Sequence, residues 1–329
     1  MRTALVVGGT GLIGRAVARH LLRDGWLVTV TGRDPRRVPA DLTDLFFRTD
    51  RDTWPSGDYE LVVDAACFTA AHSRQVLPLM RAARSAVLIS SKAVYVDDAG
   101  NHVNSMIPPR FHGPINEDQP TLPPGDMPYD SPEGYGPNKV AAEQLLLDSG
   151  APVTVLRPSK VHGEGAAPAR TWWFVKRARD RRPAVLLAGH GRGVDHPSAA
   201  ANIAALVACV ADNPGRRILN AADPSAPDGL AIARIVAAHL GHIWEEVLLP
   251  GSSLGLHPFH RLPGIVLDTR AASALGYVPV GDLTTEIRWL VDHPPVSDPA
   301  GWFDYAAEDA WLRSRGNGGA EVTAQGGGR

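Results

Sequence analysis

The sequence predicts an α/β protein with a doubly wound parallel sheet and a smaller C-terminal α/β part. Short apolar runs without polar alternation recur through the first half of the chain, which is typical of strands buried on both faces. Amphipathic segments of helical period separate these runs, and strands that alternate with helices form a parallel sheet. After residue 163 the order of elements is less regular, which predicts the separate C-terminal part.

The first half of the chain supplies the strands and helices of this sheet. The strands are predicted at 4–9, 26–30, 45–48, 61–66, 86–90 and 152–158, and the helices at 12–24, 72–84 and 137–149. The last helix begins with Pro137 and stops before Gly150, as helix ends favour. A stretch at 97–134, rich in Pro, Gly, Asp and Asn, is a long loop of the kind that is functional or mobile.

The second half supplies further elements and the division into domains. Helices are predicted at 171–181, 198–211, 228–240, 284–292 and 303–313, and strands at 184–188 and 216–221. We expect residues 1–163 and about 194–222 to form the sheet domain, and about 164–193 and 223–313 to form a second domain beside a ligand cleft. The Gly-rich segment 314–329 has no apolar period and is predicted to be a disordered tail.

Composition excludes several classes of protein. The chain has 329 residues, 33 basic and 35 acidic, so its net charge of −2 gives no field that favours nucleic acid or an anionic membrane. Cys67 and Cys209 lie far apart in apolar runs and indicate buried free thiols of a reducing compartment. No apolar run reaches about 18 residues, and the first strand begins near Thr3. We therefore expect a cytoplasmic protein without a membrane segment, a targeting peptide or a metal site.

A glycine-rich turn follows the first strand. Gly8, Gly11 and Gly14 stand in GGTGLIG, which lies between a strand and a helix and is followed by a second strand. That context predicts a dinucleotide site, because glycine allows a tight turn and close approach of a diphosphate to the helix N-terminus. The other contacts expected from this turn are Thr10, Leu12 and Ile13.

The end of the second strand bears on the choice of dinucleotide. Where NAD sites place an acid for the ribose 2′-hydroxyl, this chain has Gly32 and Arg33. A guanidinium there suits a 2′-phosphate, so NADP is preferred over NAD, with Asp34 as the ribose ligand in the alternative. Asp50 is a candidate contact for the adenine amine. Further cofactor or supporting contacts are expected at Ala65, Ala66 and Pro158, with Arg15, Arg36 and Arg37 reinforcing a phosphate site.

Tyr135 and Lys139 stand four residues apart at a helix start, in YGPNK, so both can face one side. A lysine ammonium favours the phenolate form of a nearby tyrosine and can hold the nicotinamide ribose. Such a tyrosine can pass a proton to or from a carbonyl oxygen. Ser91 ends the fifth strand, and its hydroxyl can hydrogen-bond the same oxygen at the edge of the sheet where ligands bind.

With these residues the chain resembles an extended short-chain dehydrogenase/reductase, the group that contains nucleotide-sugar epimerases, dehydratases and reductases. GGTGLIG, SSKAVY, YGPNK and LRPSKVHGEG follow the family's order and spacing across about residues 3–295. The resemblance implies a Rossmann domain, with Tyr135 as the catalytic acid/base, Lys139 as its modulator and Ser91 as the donor to the substrate oxygen. It also implies a homodimer and a small-molecule substrate.

Departures from the nucleotide-sugar pattern indicate substrate contacts. Lys160 and His162 replace the usual asparagine and tyrosine of the LRP-type segment, and Lys160 either holds a phosphate or carboxylate or lies at the cleft edge. His162 is either a second acid/base or a packed histidine. Lys92 follows the serine, Arg192 lies where relatives contact phosphate, and Trp172 either walls the pocket or packs in a core.

Three functions remain open at this point. An exchangeable NADP site favours a reductase that moves hydride to or from a sugar, a nucleotide sugar or a secondary metabolite. Tightly retained NAD favours an epimerase. An RNA-binding or regulatory protein on the same fold is the third possibility, and the neutral charge argues against it.

Overall fold

The computed structural model describes residues 1–251 and 253–322, with side chains as far as Arg315. Its strands are β1 Thr3–Val7, β2 Leu27–Gly32, β3 Phe46–Arg48, β4 Leu61–Asp64, β5 Ser85–Ile89, β6 Val153–Pro158, β7 Lys160–His162, β8 Ala184–Leu187, β9 Pro197–Ala199, β10 Arg217–Ala221 and β11 Glu245–Leu248. Its helices are α1 Leu12–Arg23, α2 Ala70–Ala82, α3 Pro132–Asp148, α4 Trp172–Arg179, α5 Ala200–Asp212, α6 Gly229–His239, α7 Arg270–Ala274, α8 Leu283–Asp292 and α9 Tyr305–Val322.

Seven strands form one parallel sheet in the order β10-β6-β5-β4-β1-β2-β3. The predicted doubly wound fold is therefore confirmed. The chain order reverses between β1 and β4, so the crevice beyond the carboxyl ends of these strands is where a ligand binds in such sheets. β11 pairs with β8, and β7 pairs with β9, in two small sheets that the sequence did not predict.

Apolar side chains cover both faces of the sheet. Val17 and Leu21 of α1 and Ile203 of α5 pack on one face, while Val76 of α2 and Leu146 of α3 pack on the other. Each buried aliphatic side chain of this size stabilises the fold by about 1.5–3 kcal/mol. A separate cluster joins α4, α6 and α8 in the C-terminal part. Within residues 1–251 and 253–322, no helix is long and apolar enough to cross a membrane.

Helix α3 begins five residues earlier than predicted. Ser131 is the N-cap and accepts the Gly134 N–H, and Pro132, rather than Pro137, occupies the first turn. This capping hydrogen bond moves the helix start, because it satisfies a donor that would otherwise be free. Tyr135 is therefore inside the helix, with Pro137 two positions further on.

Helix α9 also differs from the prediction. It was expected to end at 313, but its backbone is helical to Val322, so the predicted disordered tail is wrong for 314–322, and 323–329 lie outside the described residues. The first turns are fixed by ion pairs from Arg177 to Glu308 and from Arg182 to Asp309. A helix that is already nucleated gains one hydrogen bond for each added residue.

Candidate functional site

The glycine turn between β1 and α1 has no room for side chains. Gly8 has φ +82°, and a Cβ on it would lie 2.8 Å from Cβ of Ala66. A Cβ on Gly14 would lie 2.2 Å from the carbonyl oxygen of Gly8. The N–H groups of Gly8 and Gly9 both donate to the carbonyl of Thr31 at 3.0 Å, which holds the turn against β2.

The first turn of α1 is open to a ligand. Gly11 is its N-cap and supplies no side-chain cap, and Leu12 and Ile13 are its first two residues. Free N–H groups and the positive end of the helix dipole at this point suit a phosphate. Thr10 lies beside Gly32, where a Cβ would be 3.1 Å from the threonine methyl. The residues present therefore fit the diphosphate of a dinucleotide that runs toward the end of β2.

At the end of β2, Arg33 is exposed and has no ion pair or side-chain hydrogen bond within the described part of the chain. Asp34 caps a short turn and pairs with Arg36 at 2.9 Å, and this bond lowers the pKa of Asp34. Arg15 donates to the carbonyl of Glu164 at 3.2 Å. The expectation that Arg15, Arg36 and Arg37 reinforce a phosphate site stays a prediction, and the three arginines line one cavity together with Arg19.

A buried ion pair supports the end of β4. Arg51 donates to Asp64 at 3.2 Å and to the carbonyl of His72 at 2.9 Å, while Asp64 accepts the N–H of Ala66 at 2.9 Å. Ala65 and Ala66 thereby lie against Gly8 beyond the end of β4, and their contacts with a cofactor stay a prediction. Asp50 is exposed beside this pair and has no partner in the described part of the chain.

Lys139 ties the ends of two strands together. Its ammonium donates to the carbonyl of Cys67 at 2.7 Å and to that of Ile89 at 3.0 Å, and its side chain is almost fully buried. The nitrogen lies 5.9 Å from the ring centre of Tyr135 and 4.8 Å from that of Phe68. An ammonium has three donors, so one remains for another acceptor.

The helix that carries Tyr135 packs against the turn that follows β5. A Cβ on Gly136 would lie 2.8 Å from the carbonyl of Ala93, so α3 packs directly on the turn that Ser91 caps. Ser91 is half-buried, and its hydroxyl accepts the Ala93 N–H at 3.1 Å, which leaves its proton free to donate. Tyr135 and Lys139 therefore lie on a helix that packs on the turn of Ser91, and Pro158 ends the neighbouring strand β6. Their shared catalytic role stays a prediction.

Ser90 has a different task from Ser91. It is buried and donates to Glu143, which forms a two-point ion pair with Arg157. Both charges are removed from water, so the pair needs these hydrogen bonds to be stable. Ser90 is therefore part of the support beneath the site, and Ser91 is the serine that reaches the crevice.

Four cations and one carboxylate gather beyond the turn of Ser91. Asp195 forms ion pairs with Lys92 and with Lys160, the latter at 3.1 Å. Lys92 also donates to the hydroxyl of Ser159 at 2.9 Å. Burial, together with the nearby charges of Arg170 and Arg261, lowers the pKa of Lys160 to about 8, and burial also lowers the pKa of Lys92. We call these five residues the cation cluster: Lys92, Lys160, Arg170, Asp195 and Arg261.

The remaining predicted substrate contacts lie elsewhere. His162 is fully buried, with Nε2 2.6 Å from Asp223 and Nδ1 2.9 Å from Glu286, so neither nitrogen is free for a substrate and the substrate assignment is wrong. Trp172 packs in the C-terminal apolar cluster and donates to Asp298 at 2.8 Å, which favours the core alternative. Arg192 is exposed, and its role stays a prediction.

Burial and charge explain the state of His162. Burial by itself lowers the pKa of this histidine, but the charges of Glu286 and Asp223 outweigh it and raise the pKa to about 10. Thr171 also donates to Glu286, and Asn202 donates to Asp223 at 2.8 Å. His162 is thus an imidazolium that joins β7 to α8 and to the end of β10.

Sequence reasoning missed the acids and arginines that complete these groups. Asp195, Asp223 and Glu286 pair with residues 35 to 124 positions away, and no periodic pattern links them. Arg170 and Arg261 are two among many arginines, so nothing in the sequence distinguishes them. The sequence does carry one signal, because only four of its 33 basic residues are lysines and two of these are Lys92 and Lys160.

Comparison with known proteins places these features in a family. Residues 4–222 match the model of the NAD-dependent epimerase/dehydratase family. No curated protein matches the chain. Among solved structures, the chain is similar to UDP-glucuronic acid 4-epimerase from Bacillus cereus with UDP-glucuronic acid and NAD, at 18% identity and a TM-score of 0.62, covering 88% of this chain and 99% of that one.

Two other solved structures have the same fold. One is UDP-glucose 4-epimerase from Stenotrophomonas maltophila with bound NAD and formylated UDP-arabinopyranose, at 20% identity and a TM-score of 0.65, covering 88% of this chain and 97% of that one. The other is UDP-glucose 4-epimerase from Thermus thermophilus with NAD, at 20% identity and a TM-score of 0.62, covering 89% and 98%.

Proposed function

Because the chain belongs to the NAD-dependent epimerase/dehydratase family, as an enzyme of the extended short-chain dehydrogenase/reductase type, we propose that it moves hydride between a nicotinamide dinucleotide and a carbon bearing a hydroxyl or keto group. The observation that carries the proposal is the contact of α3 with the turn capped by Ser91, at the open end of the sheet. The glycine turn lies at the same end and fits a diphosphate.

Tyr135 is the acid/base of this proposal. When bound, the nicotinamide supplies the carbon that accepts or returns hydride. Tyr135 removes a proton from the substrate hydroxyl in oxidation and returns it in reduction, and the hydroxyl of Ser91 donates to the same oxygen. Lys139 holds a positive charge near the phenol and offers its third donor to a ribose hydroxyl. Its two carbonyl partners fix that charge in place.

NADP is the dinucleotide that we propose in preference to NAD. Its support is the exposed and unpaired Arg33, together with the engagement of Asp34 by Arg36, which leaves no free carboxylate within the described residues 31–36. A guanidinium binds a phosphate by charge-assisted hydrogen bonds. The bound NAD of the similar solved structures supports the alternative.

A reductase is the first proposed outcome and an epimerase the second. A reductase exchanges its dinucleotide in each cycle, which suits an NADP site. The likeness to three NAD-containing 4-epimerases supports an enzyme that retains the dinucleotide and inverts a carbon. We propose a small polar substrate between the sheet and the part formed by about 164–193 and 223–313, and a cytoplasmic homodimer.

Mass spectrometry of small molecules released from the purified protein tests this proposal. Retained NAD indicates an epimerase. A protein that purifies empty and binds NADPH more tightly than NADH in titration indicates a reductase. A protein that retains no dinucleotide and binds neither one contradicts the proposed function altogether.

A further inference from the structure

The cation cluster is unbalanced in charge. Lys92, Lys160, Arg170 and Arg261 carry up to four positive charges, and Asp195 is the one carboxylate that forms an ion pair with any of them in the described part of the chain. The guanidinium of Arg170 donates to the carbonyl of Val161 at 3.0 Å, and that of Arg261 to the carbonyl of Val103 at 3.2 Å. Carbonyl groups accept these hydrogen bonds but do not neutralise the charges.

Removal from water makes this imbalance costly. Lys92 and Asp195 are buried, and the side chain of Lys160 is 27% exposed. Nε of Arg261 is buried without a hydrogen-bond partner in the part of the chain that the structure describes. A buried charge that lacks a counter-charge is destabilised unless a ligand supplies one. Burial and the mutual repulsion of the cations lower the pKa values of Lys92 and Lys160, as expected when one carboxylate is too few.

The cation cluster lies next to Ser91, the serine that we propose to bind the oxygen on the reacting carbon. Lys92 follows Ser91 directly in the same turn, and its ammonium binds the hydroxyl of Ser159, one residue beyond the end of β6. Lys160 comes next on β7. The cluster is therefore adjacent to the serine at the crevice, while the diphosphate of a dinucleotide would lie between β1 and α1.

We infer that the cation cluster binds an anionic group of the substrate, a carboxylate or a phosphate, carried close to the carbon that exchanges hydride. This inference rests on the proposed function and narrows its substrate class from a neutral sugar or ketone to an acid or a phosphate ester. The anion takes the place of the missing counter-charges, with Lys160 and Arg261 as its principal partners because each keeps an unused donor.

Titration calorimetry with two simple anions tests the inference. Inorganic phosphate and malonate are titrated separately into the protein at constant ionic strength, with saturating NAD⁺ added so that the glycine turn is already filled. We expect saturable binding of at least one anion, and Lys160→Gln and Arg261→Gln should each weaken it by about tenfold. Lys176→Gln is the matched control, because this lysine pairs with Asp180 outside the cluster.

The results separate the possible ligands and the two proposals. Binding of phosphate alone indicates a phosphate ester, binding of malonate alone indicates a carboxylic acid, and binding of both supports the cluster without preference. Absence of saturable binding, or binding that Lys160→Gln and Arg261→Gln leave unchanged, overturns the inference. Failure of NAD⁺ and of NADP⁺ to bind in a separate titration counts against the proposed function alone, because anion binding requires no turnover.

Discussion

The two sides of the crevice are built by different means. On the cofactor side, close backbone packing forms the cradle, and Gly8 and Gly14 act by having no side chain. On the substrate side, charged side chains from distant parts of the sequence meet, as Lys92 and Lys160 do with Asp195. Residues that are neighbours in the sequence determine the backbone geometry of the turn. The charge cluster forms only when residues far apart in the sequence meet in the folded chain. A family can therefore keep the first side constant and vary the second, because site chemistry is separable from fold.

The largest effect is expected from Tyr135→Phe, which removes the proposed acid/base and leaves both sides of the crevice intact. We expect kcat to fall by about 10²–10⁴-fold on any substrate that the wild-type protein turns over, with dinucleotide affinity unchanged. Tyr129→Phe is the matched control, since Tyr129 stacks on Phe68 at 5.2 Å outside the helix. Full turnover by the Tyr135 variant would contradict the assignment of Tyr135 as the acid/base.

His162→Asn tests whether buried ion pairs between distant parts of the chain stabilise the fold next to the cation cluster, as His162 does with Asp223 and Glu286. This change leaves Asp223 and Glu286 buried without their shared cation, so the free energy of unfolding should fall by about 3–5 kcal/mol. Denaturant titration measures the loss, and His293→Asn, at an exposed position, should change it little. A loss of unfolding free energy below about 1 kcal/mol would contradict an ionic interaction of His162 with Asp223 and Glu286.

The same histidine predicts a dependence of stability on pH. Its pKa is about 10 in the folded protein, above the ordinary value of about 6.5. The stabilisation that it provides is complete below the ordinary value and is lost as pH rises through about 10. The difference in melting temperature between wild type and His162→Asn should therefore shrink from pH 7 to pH 10. A constant difference would contradict a raised pKa.

The backbone construction of the cofactor side is tested by Gly14→Ala. The added Cβ would meet the carbonyl of Gly8 and push α1 away from the turn, so dinucleotide affinity should fall by about 100-fold. Gly113→Ala adds the same methyl group where no atom lies within 4 Å and should leave affinity unchanged. Equal affinities of the two variants for NADH, measured by fluorescence titration, would show that a Cβ at position 14 does not disturb dinucleotide binding.

The smallest effect is expected from Arg33→Ala. Loss of one charge-assisted contact should weaken NADPH binding by about tenfold and leave NADH binding nearly the same. Arg84→Ala removes an exposed guanidinium just before the amino end of β5, away from the glycine turn, and serves as the control. Equal effects of Arg33→Ala on the two dinucleotides would show that this arginine does not bind a 2′-phosphate.

The sequence predicted the sheet and the cofactor side better than the substrate side, for a physical reason. Apolar runs and glycine spacing are local signals, so the strands and the GGTGLIG turn were readable directly. The start of α3 was predicted five residues too late because Pro132 and Pro137 are equally suitable first residues of a helix. The capping hydrogen bond of Ser131 decides between them in the structure. His162 was open to two interpretations because its partners, Asp223 and Glu286, lie 61 and 124 positions away.

The two adjacent serines after β5 have a consequence for insertions and deletions. Ser90 is bound to the Glu143–Arg157 pair and Ser91 reaches the crevice, so a shift of one position exchanges a structural hydroxyl for a functional one. A single-residue insertion or deletion within β5 would therefore be harmful at both positions at once. The exposed segment around Met106 and Ile107 carries no such pairing and should accept changes of length, which makes it the natural place for a tag or an inserted label.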